Sequence, residues 1–193
     1  MKKYYITAFI LLIFGVVSIF AFDRYICVFL CNKKIFLPFF DKISEIGSFE
    51  WVFLTVSLIV FLSFWIKPLR QFVFIMCVSI ILADTLVIVL KYMLGQARPI
   101  MYIKDNIYGF YPFTFRHDFD SMPSGHTALN ATLAFSIFAK NKKIGILLIL
   151  WAILVGLSRM FLCKHYLSNV LVSYSISMFV VLISYSLEKK LQK

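Results

Sequence analysis

Acidic residues are scarce in this chain: nine Asp and Glu stand against 20 Lys and Arg over 193 residues, for a formal net charge of +11. The few carboxylates are scattered, so no polar stretch carries the cluster that a two-metal site requires. Four cysteines, Cys27, Cys31, Cys77 and Cys163, lack the spacing of a metal site. Cys77 falls inside an apolar run, and Cys27 and Cys31 on one helical face would strain a disulfide, so all four read as apolar fillers. No linker, low-complexity tract or internal repeat divides the chain, and residues 1–193 read as one domain.

Apolar residues are what the chain has in excess. At 62% apolar and a mean hydropathy of +0.90, it exceeds what a soluble core of this size needs. Crossing a bilayer takes roughly 20 apolar helical residues, and stretches that qualify or nearly qualify run over 4–22, 51–66, 71–90, 126–139, 144–157 and 166–187. The fourth and fifth are short, so their helices are expected to reach into the flanking polar residues, with Lys140 and Lys164 snorkelling. Lys2 and Lys3 ahead of the first run suggest a signal peptide, but Ile19 and Ala21 make a poor cleavage site, so a retained span is expected. The fold class is an all-α membrane bundle of six transmembrane helices. With both termini cytoplasmic, the inner segments hold ten cations, Lys193 among them, against one acid, and the outer segments ten against seven, the asymmetry expected of basic residues kept inside. Topology and site residues thus account for the positive charge without a nucleic-acid partner.

Three polar islands interrupt the apolar sequence, and this topology puts all of them on the outer side. The first is Lys91 with Arg98-Pro99. If the third helix continues through them, the two cations share a face two turns apart and Pro99 ends the helix. Taken singly, each reads equally as a snorkelling, membrane-flanking charge. The second, Pro123-Ser124-Gly125-His126, reads as a helix start where Ser124 caps and Gly125 lets an anion approach free N–H groups. The third joins Ser158-Arg159 to His165 and Asn169; the four-residue step puts Asn169 within reach of the His165 ring. Together they supply three cations and two imidazoles, an inventory for holding and transferring phosphate.

These strings, Lys91-x6-Arg98-Pro99, Pro123-Ser124-Gly125-His126 and Ser158-Arg159-x5-His165-x3-Asn169, resemble the tripartite signature of the type 2 phosphatidic acid phosphatase superfamily, whose membrane members have six helices. The resemblance covers the third to sixth spans in motif order, spacing and sidedness. It implies that His165 is the nucleophile forming a phosphohistidine and His126 the general acid. Lys91, Arg98, Pro123, Ser124, Gly125 and Arg159 would form the phosphate site, with no metal or other cofactor. It further implies a bacterial cytoplasmic-membrane enzyme with an outward-facing site. The substrate would be a lipid phosphate or diphosphate of the lipid A, undecaprenyl diphosphate, phosphatidylglycerophosphate or phosphatidic acid type. A lipid phosphotransferase working through the same intermediate is the alternative.

The family pattern has aspartate where this chain has Asn169. Asparagine can accept the hydrogen bond from His165 Nδ1–H but brings no charge, and the corresponding exchange in a serine-protease triad costs on the order of 10⁴ in rate. Lower turnover, or a silent lipid-binding protein, follows from that exchange, and Asn169→Asp is expected to raise the rate. Asp84 lies within the third span, about 10 Å deeper than Lys91. That depth suits a structural pairing or a supporting role better than catalysis. The aromatic and charged stretch 100–122, with Asp118, Asp120 and His117, reads as an interfacial anchor.

Overall fold

The computed structural model describes residues 2–191, and Lys193 lies outside them. Among these residues the fold is all-helical, with one isolated bridge between Gln96 and Phe110. The helices are α1 (Lys2–Ala21), α2 (Asp23–Cys31), α3 (Leu37–Ile46), α4 (Phe49–Ser63), α5 (Arg70–Leu94), α6 (Pro99–Asp105), α7 (Gly125–Lys140), α8 (Lys142–Phe161) and α9 (Leu167–Leu191). Five stretches among the described residues are long and apolar enough to cross a membrane: Lys2–Ala21, Lys34–Ser63, Arg70–Leu94, Lys142–Phe161 and Leu167–Lys190. Their outward faces are apolar, with Phe14 60%, Phe74 70% and Leu147 67% exposed. A belt of that kind needs hydrocarbon rather than water around it.

The fourth expected span, 126–139, is α7, which is only 16 residues long and so about 24 Å. It does not reach the length of the other five because Asn141 ends it and caps α8, its side chain accepting from Lys143 N and Ile144 N. The fifth expected span does lengthen into its polar flanks, to 20 residues. α7 lies at the centre of the bundle against α5, α8 and α9. It buries polar residues there, Thr127, Asn130, Thr132 and Ser136, beside Ala128, Leu129, Ala131, Leu133 and Ala134. Small residues let these helices approach closely, and hydroxyls bond across the gaps: Ser177 Oγ donates to Ala128 O at 2.9 Å, Ser175 Oγ to Ala8 O at 2.8 Å. Asn130 Nδ2 donates to Gly47 O at 2.8 Å and its Oδ1 accepts from Trp151 Nε1 at 3.0 Å.

The long connection 23–50 is helical rather than a loop. Phe40 and Ile43 of α3 pack on Val155 of α8 with Trp151 and Phe161, which explains why this segment folds against the bundle. The other long connection, 95–122, begins at Gly95, whose φ of +58° closes α5 by donating to Lys91 O at 2.9 Å. A Cβ at this position would lie 1.9 Å from Tyr111 O. The helix therefore stops before Arg98, and the expected continuous face bearing Lys91 and Arg98 does not form. Arg98 is extended, and Pro99 opens α6 instead of ending α5, a first-turn role for which its locked φ is suited. Of the aromatic residues in this connection, Phe113 and Phe115 point outward, whereas Phe119 is buried.

Two of the four cysteines are not fillers. Cys31, the last residue of α2, forms a disulfide with Cys163 just after α8, with Cα atoms 5.5 Å apart and 132 positions between them in sequence. Only the tertiary fold brings them together, whereas the helical neighbours Cys27 and Cys31 do not pair. Cys27 and Cys77 are free thiols. Asp84 is half-buried on α5 and has no hydrogen bond or ion pair with any described residue, so the structural pairing expected for it does not form.

Candidate active site

The ends of α5 and α8 and the starts of α7 and α9 meet on one side of the bundle, joined by the segment Asp118-Phe119-Asp120-Ser121. Arg98 N donates to Asp118 O at 2.8 Å, and Ser121 N to Gln96 O at 3.1 Å. Lys91 Nζ donates to Asp120 O at 2.8 Å and lies 3.5 Å from its carboxylate. Arg98 Nε and Nη2 both donate to Asp120 Oδ1, at 2.8 and 2.6 Å. Asp120 thus ties the two cations of the first island together, and the same connection carries Ser121 to the third.

His165 is buried in the turn between α8 and α9. Its Nδ1 lies 2.7 Å from the backbone oxygen of Ser121. A carbonyl only accepts, so the ring proton sits on Nδ1 and Nε2 keeps its lone pair. Asn169, expected to hold that proton, lies one bond behind: its Oδ1 accepts from Ser121 Oγ and from Tyr166 N, both at 2.8 Å, and its Nδ2 donates to Gln96 Oε1. Burial holds the His165 imidazole well below its ordinary value of 6.5, and Arg159, Lys91 and Arg98 push it the same way. It is accordingly neutral and unprotonated at Nε2 over the physiological range.

Arg159, 5% exposed at the end of α8, donates through Nη1 to Ser44 Oγ of α3. Its buried Nε–H has no partner among the described residues. Arg159, Lys164 and Lys91 also act electrostatically on His126. Since Arg159 and Lys91 act on both imidazoles, all three islands meet in one region. His126 is half-buried in the first turn of α7.

Ser124 occupies the N-cap position of α7 without capping it. Its hydroxyl accepts from Thr127 Oγ1 at 2.9 Å, while its backbone N–H and C=O bond to Ser173 Oγ at 2.8 and 3.0 Å. The first-turn amides are left without a side-chain cap, as an anion site requires. A methyl group built on Gly125 meets no protein atom within 4 Å, so the backbone there faces open space. Pro123 is fully buried and offers no N–H; it stiffens the approach. Among the described residues no three His, Cys, Asp or Glu side chains gather as a metal site would need, and the positive charge at this site comes from side chains.

Sequence reasoning missed Ser44, Gln96 and the hub roles of Asp120 and Ser121. Gln96 lies within the Lys91-x6-Arg98 string, and Asp120-Ser121 stand just ahead of Pro123. That closeness was the available signal, but neither residue type announces a phosphate site.

Three cations, two imidazoles and an uncapped helix start, all buried or half-buried at one side of an apolar helical bundle, are the parts an anion site in a membrane protein would use. The chain belongs to the PAP2 superfamily, whose family model matches residues 72–193. Among solved structures, it is similar to LpxE of Aquifex aeolicus, at 26% identity over 86% of this chain and 96% of that one, with a TM-score of 0.69. It also shares the fold of a transmembrane PAP2-type phosphatidylglycerolphosphate phosphatase from Bacillus subtilis, at 21% identity over 98% of both chains and a TM-score of 0.73. No curated protein matches the chain significantly in sequence.

Gly125→Ala places a methyl group in the open space over the α7 start. It is expected to leave thermal unfolding in detergent unchanged while weakening inorganic phosphate binding about tenfold, the worth of one hydrogen bond to a charged group. Titration calorimetry with phosphate checks this, and equal affinities would remove Gly125 from the anion site.

Proposed function

We propose that the protein is a multi-pass membrane phosphatase that removes a terminal phosphate or diphosphate from a lipid through a phosphohistidine, without a metal. The observation that carries this reading is the His165–Ser121 hydrogen bond, which presents a neutral imidazole with a free Nε2 inside a field of three cations. In the first step Nε2 attacks phosphorus, the ester P–O bond breaks, and His126, which the charge of the bound phosphate keeps protonated against burial and the nearby Arg159, Lys164 and Lys91, gives its proton to the leaving oxygen. In the second, water attacks the phosphohistidine, its proton returns to His126, and phosphate and His165 are released. Lys91, Arg98 and Arg159 with the α7 amides carry the charge on the equatorial oxygens. Asp120 shares Lys91 and Arg98 with the incoming phosphate.

The geometry supports a lipid substrate because the site lies at the end of an apolar bundle, where the tails stay in hydrocarbon as the headgroup reaches the cations. The fold shared with a protein described as a phosphatidylglycerolphosphate phosphatase is consistent with this. We place both termini on the cytoplasmic side, with α7 as the sixth crossing and the site facing outward in the bacterial cytoplasmic membrane. The Cys31–Cys163 disulfide on the site side agrees with an oxidising exterior.

Purified protein in detergent with EDTA, given a panel of phospholipid phosphates, should release phosphate, and His165→Ala should abolish release. Activity lost with EDTA, or kept by His165→Ala, would overturn the reading. Because protonation removes the nucleophile and the His165 value is depressed, the acid limb of kcat/KM is expected below pH 6.5; a limb at or above that value would contradict a neutral, buried nucleophile. Asn169→Asp puts a carboxylate one hydrogen bond behind Ser121, and Gln96, whose buried Nε2 has no partner among the described residues, can turn to donate to it. Turnover on vesicles should rise, by well under the ~10⁴ of a direct contact. An unchanged or lower rate would show that no charge is wanted there.

A further inference from the structure

Outside the three islands and the Asp118–Ser121 segment, the nine-residue helix α2 is fastened at one end to the turn that carries His165 and at the other to the start of α9. Cys31, its last residue, is bonded to Cys163, two positions ahead of His165. Asp23, its first residue, is 1% exposed and grips Ser168, three positions beyond His165. Asp23 Oδ1 accepts from Ser168 N at 2.9 Å and Ser18 Oγ at 2.7 Å, and Oδ2 from Ser168 Oγ and from Tyr108 OH at 3.4 Å. Between the fastenings the helix is a rigid rod of about 12 Å resting on α8 and α9. Within the turn, Lys164 N and His165 N both donate to Arg159 O, at 3.0 and 3.2 Å, and Cys163 has a φ of +53°.

We infer that α2 is a splint for the nucleophile, with Cys31 and Asp23 acting as positioning residues that fix His165 from both sides. The inference rests on the role proposed for His165. Neither residue lies in the 72–193 region matched by the family model, so the splint is contributed by the N-terminal part of the chain. A buried carboxyl group with three close donors, Ser168 N, Ser168 Oγ and Ser18 Oγ, is a firm anchor. A disulfide adds a link that thermal motion does not break.

The test uses dioctanoyl phosphatidic acid in detergent micelles and wild-type protein before reduction, after reduction and after reoxidation, beside Cys31→Ser/Cys163→Ser and Asp23→Asn. Reduction should lower kcat by about tenfold to about 100-fold, as expected when a reacting group shifts by an ångström or less. KM should stay nearly constant and reoxidation should restore the rate. The double serine variant should show the same low kcat and ignore reductant, and Asp23→Asn should lower kcat with its disulfide intact. Full kcat after reduction, a loss confined to KM, or reductant inhibition of the double serine variant would overturn the inference. Hydrogen exchange decides the same question without turnover: reduction should speed exchange over residues 163–168 while α7 is unchanged, and equal exchange would sink the splint. Absence of phosphate release from oxidised wild type would count against the phosphatase reading, leaving the exchange result to judge the splint.

Discussion

A carbonyl oxygen has no proton to give, and that single fact organises the site. With Ser121 O against His165 Nδ1, the imidazole has one neutral tautomer that satisfies the bond. Ser121 can impose it only because it is itself held: its amide on Gln96, its hydroxyl on Asn169, and its neighbour Asp120 between Lys91 and Arg98. The three polar islands meet through this short stretch of main chain. Most of the contacts that align them are made by backbone atoms and by side chains the islands do not contain.

The arrangement is electrostatically tense. Three cations gather around two imidazoles with Asp120 as the carboxylate paired to two of them, and removing such charges from water costs several kcal/mol each before pairing. The buried Nε of Arg159 and Nε2 of Gln96 have no partners among the described residues. Native proteins tolerate few such donors, and they concentrate where a ligand or a reaction needs them. The neighbouring packing offsets the cost: α3 and α8 share the Phe40, Ile43 and Val155 cluster directly beside the Ser44–Arg159 bond.

How much of this was legible beforehand depended on whether a feature was local in sequence. Hydrophobic runs marked four of the five long spans within a few residues, the second, Lys34–Ser63, being expected only over 51–66 because polar residues such as Asp41, Lys42 and Glu45 interrupt its first half; the motif strings marked residues that the fold does bring together. α7 was harder, because a central helix shielded on several sides is free to be short and polar. The step from His165 to Asn169 put Asn169 in the first turn of α9, but His165 lies in the turn ahead of that helix and its hydrogen bond goes to Ser121, 44 positions away, which no periodicity reports. The same holds for Cys31 with Cys163 and Asp23 with Ser168. Helical spacing failed for Lys91 and Arg98 because a positive φ at Gly95 interrupts the helix between them; sequence shows a glycine there but not Tyr111 O packed against it.

The brevity and polarity of α7 bear on how the chain is made. A 16-residue helix burying Thr127, Asn130, Thr132 and Ser136 gains little by partitioning into lipid alone. Of these side chains, Asn130 bonds to α8 and the end of α3, Thr127 and Thr132 bond to Ser124 and Ala128, and Ser136 Oγ has no partner among the described residues. Only Asn141 separates it from α8, a connection short enough for the two to enter the bilayer as one hairpin whose greasier arm offsets the polarity of the other. A helix so placed is held in the bilayer by its neighbours, and α7 and His126 at its start reach their depth only once α8 and α9 are there to pack against it.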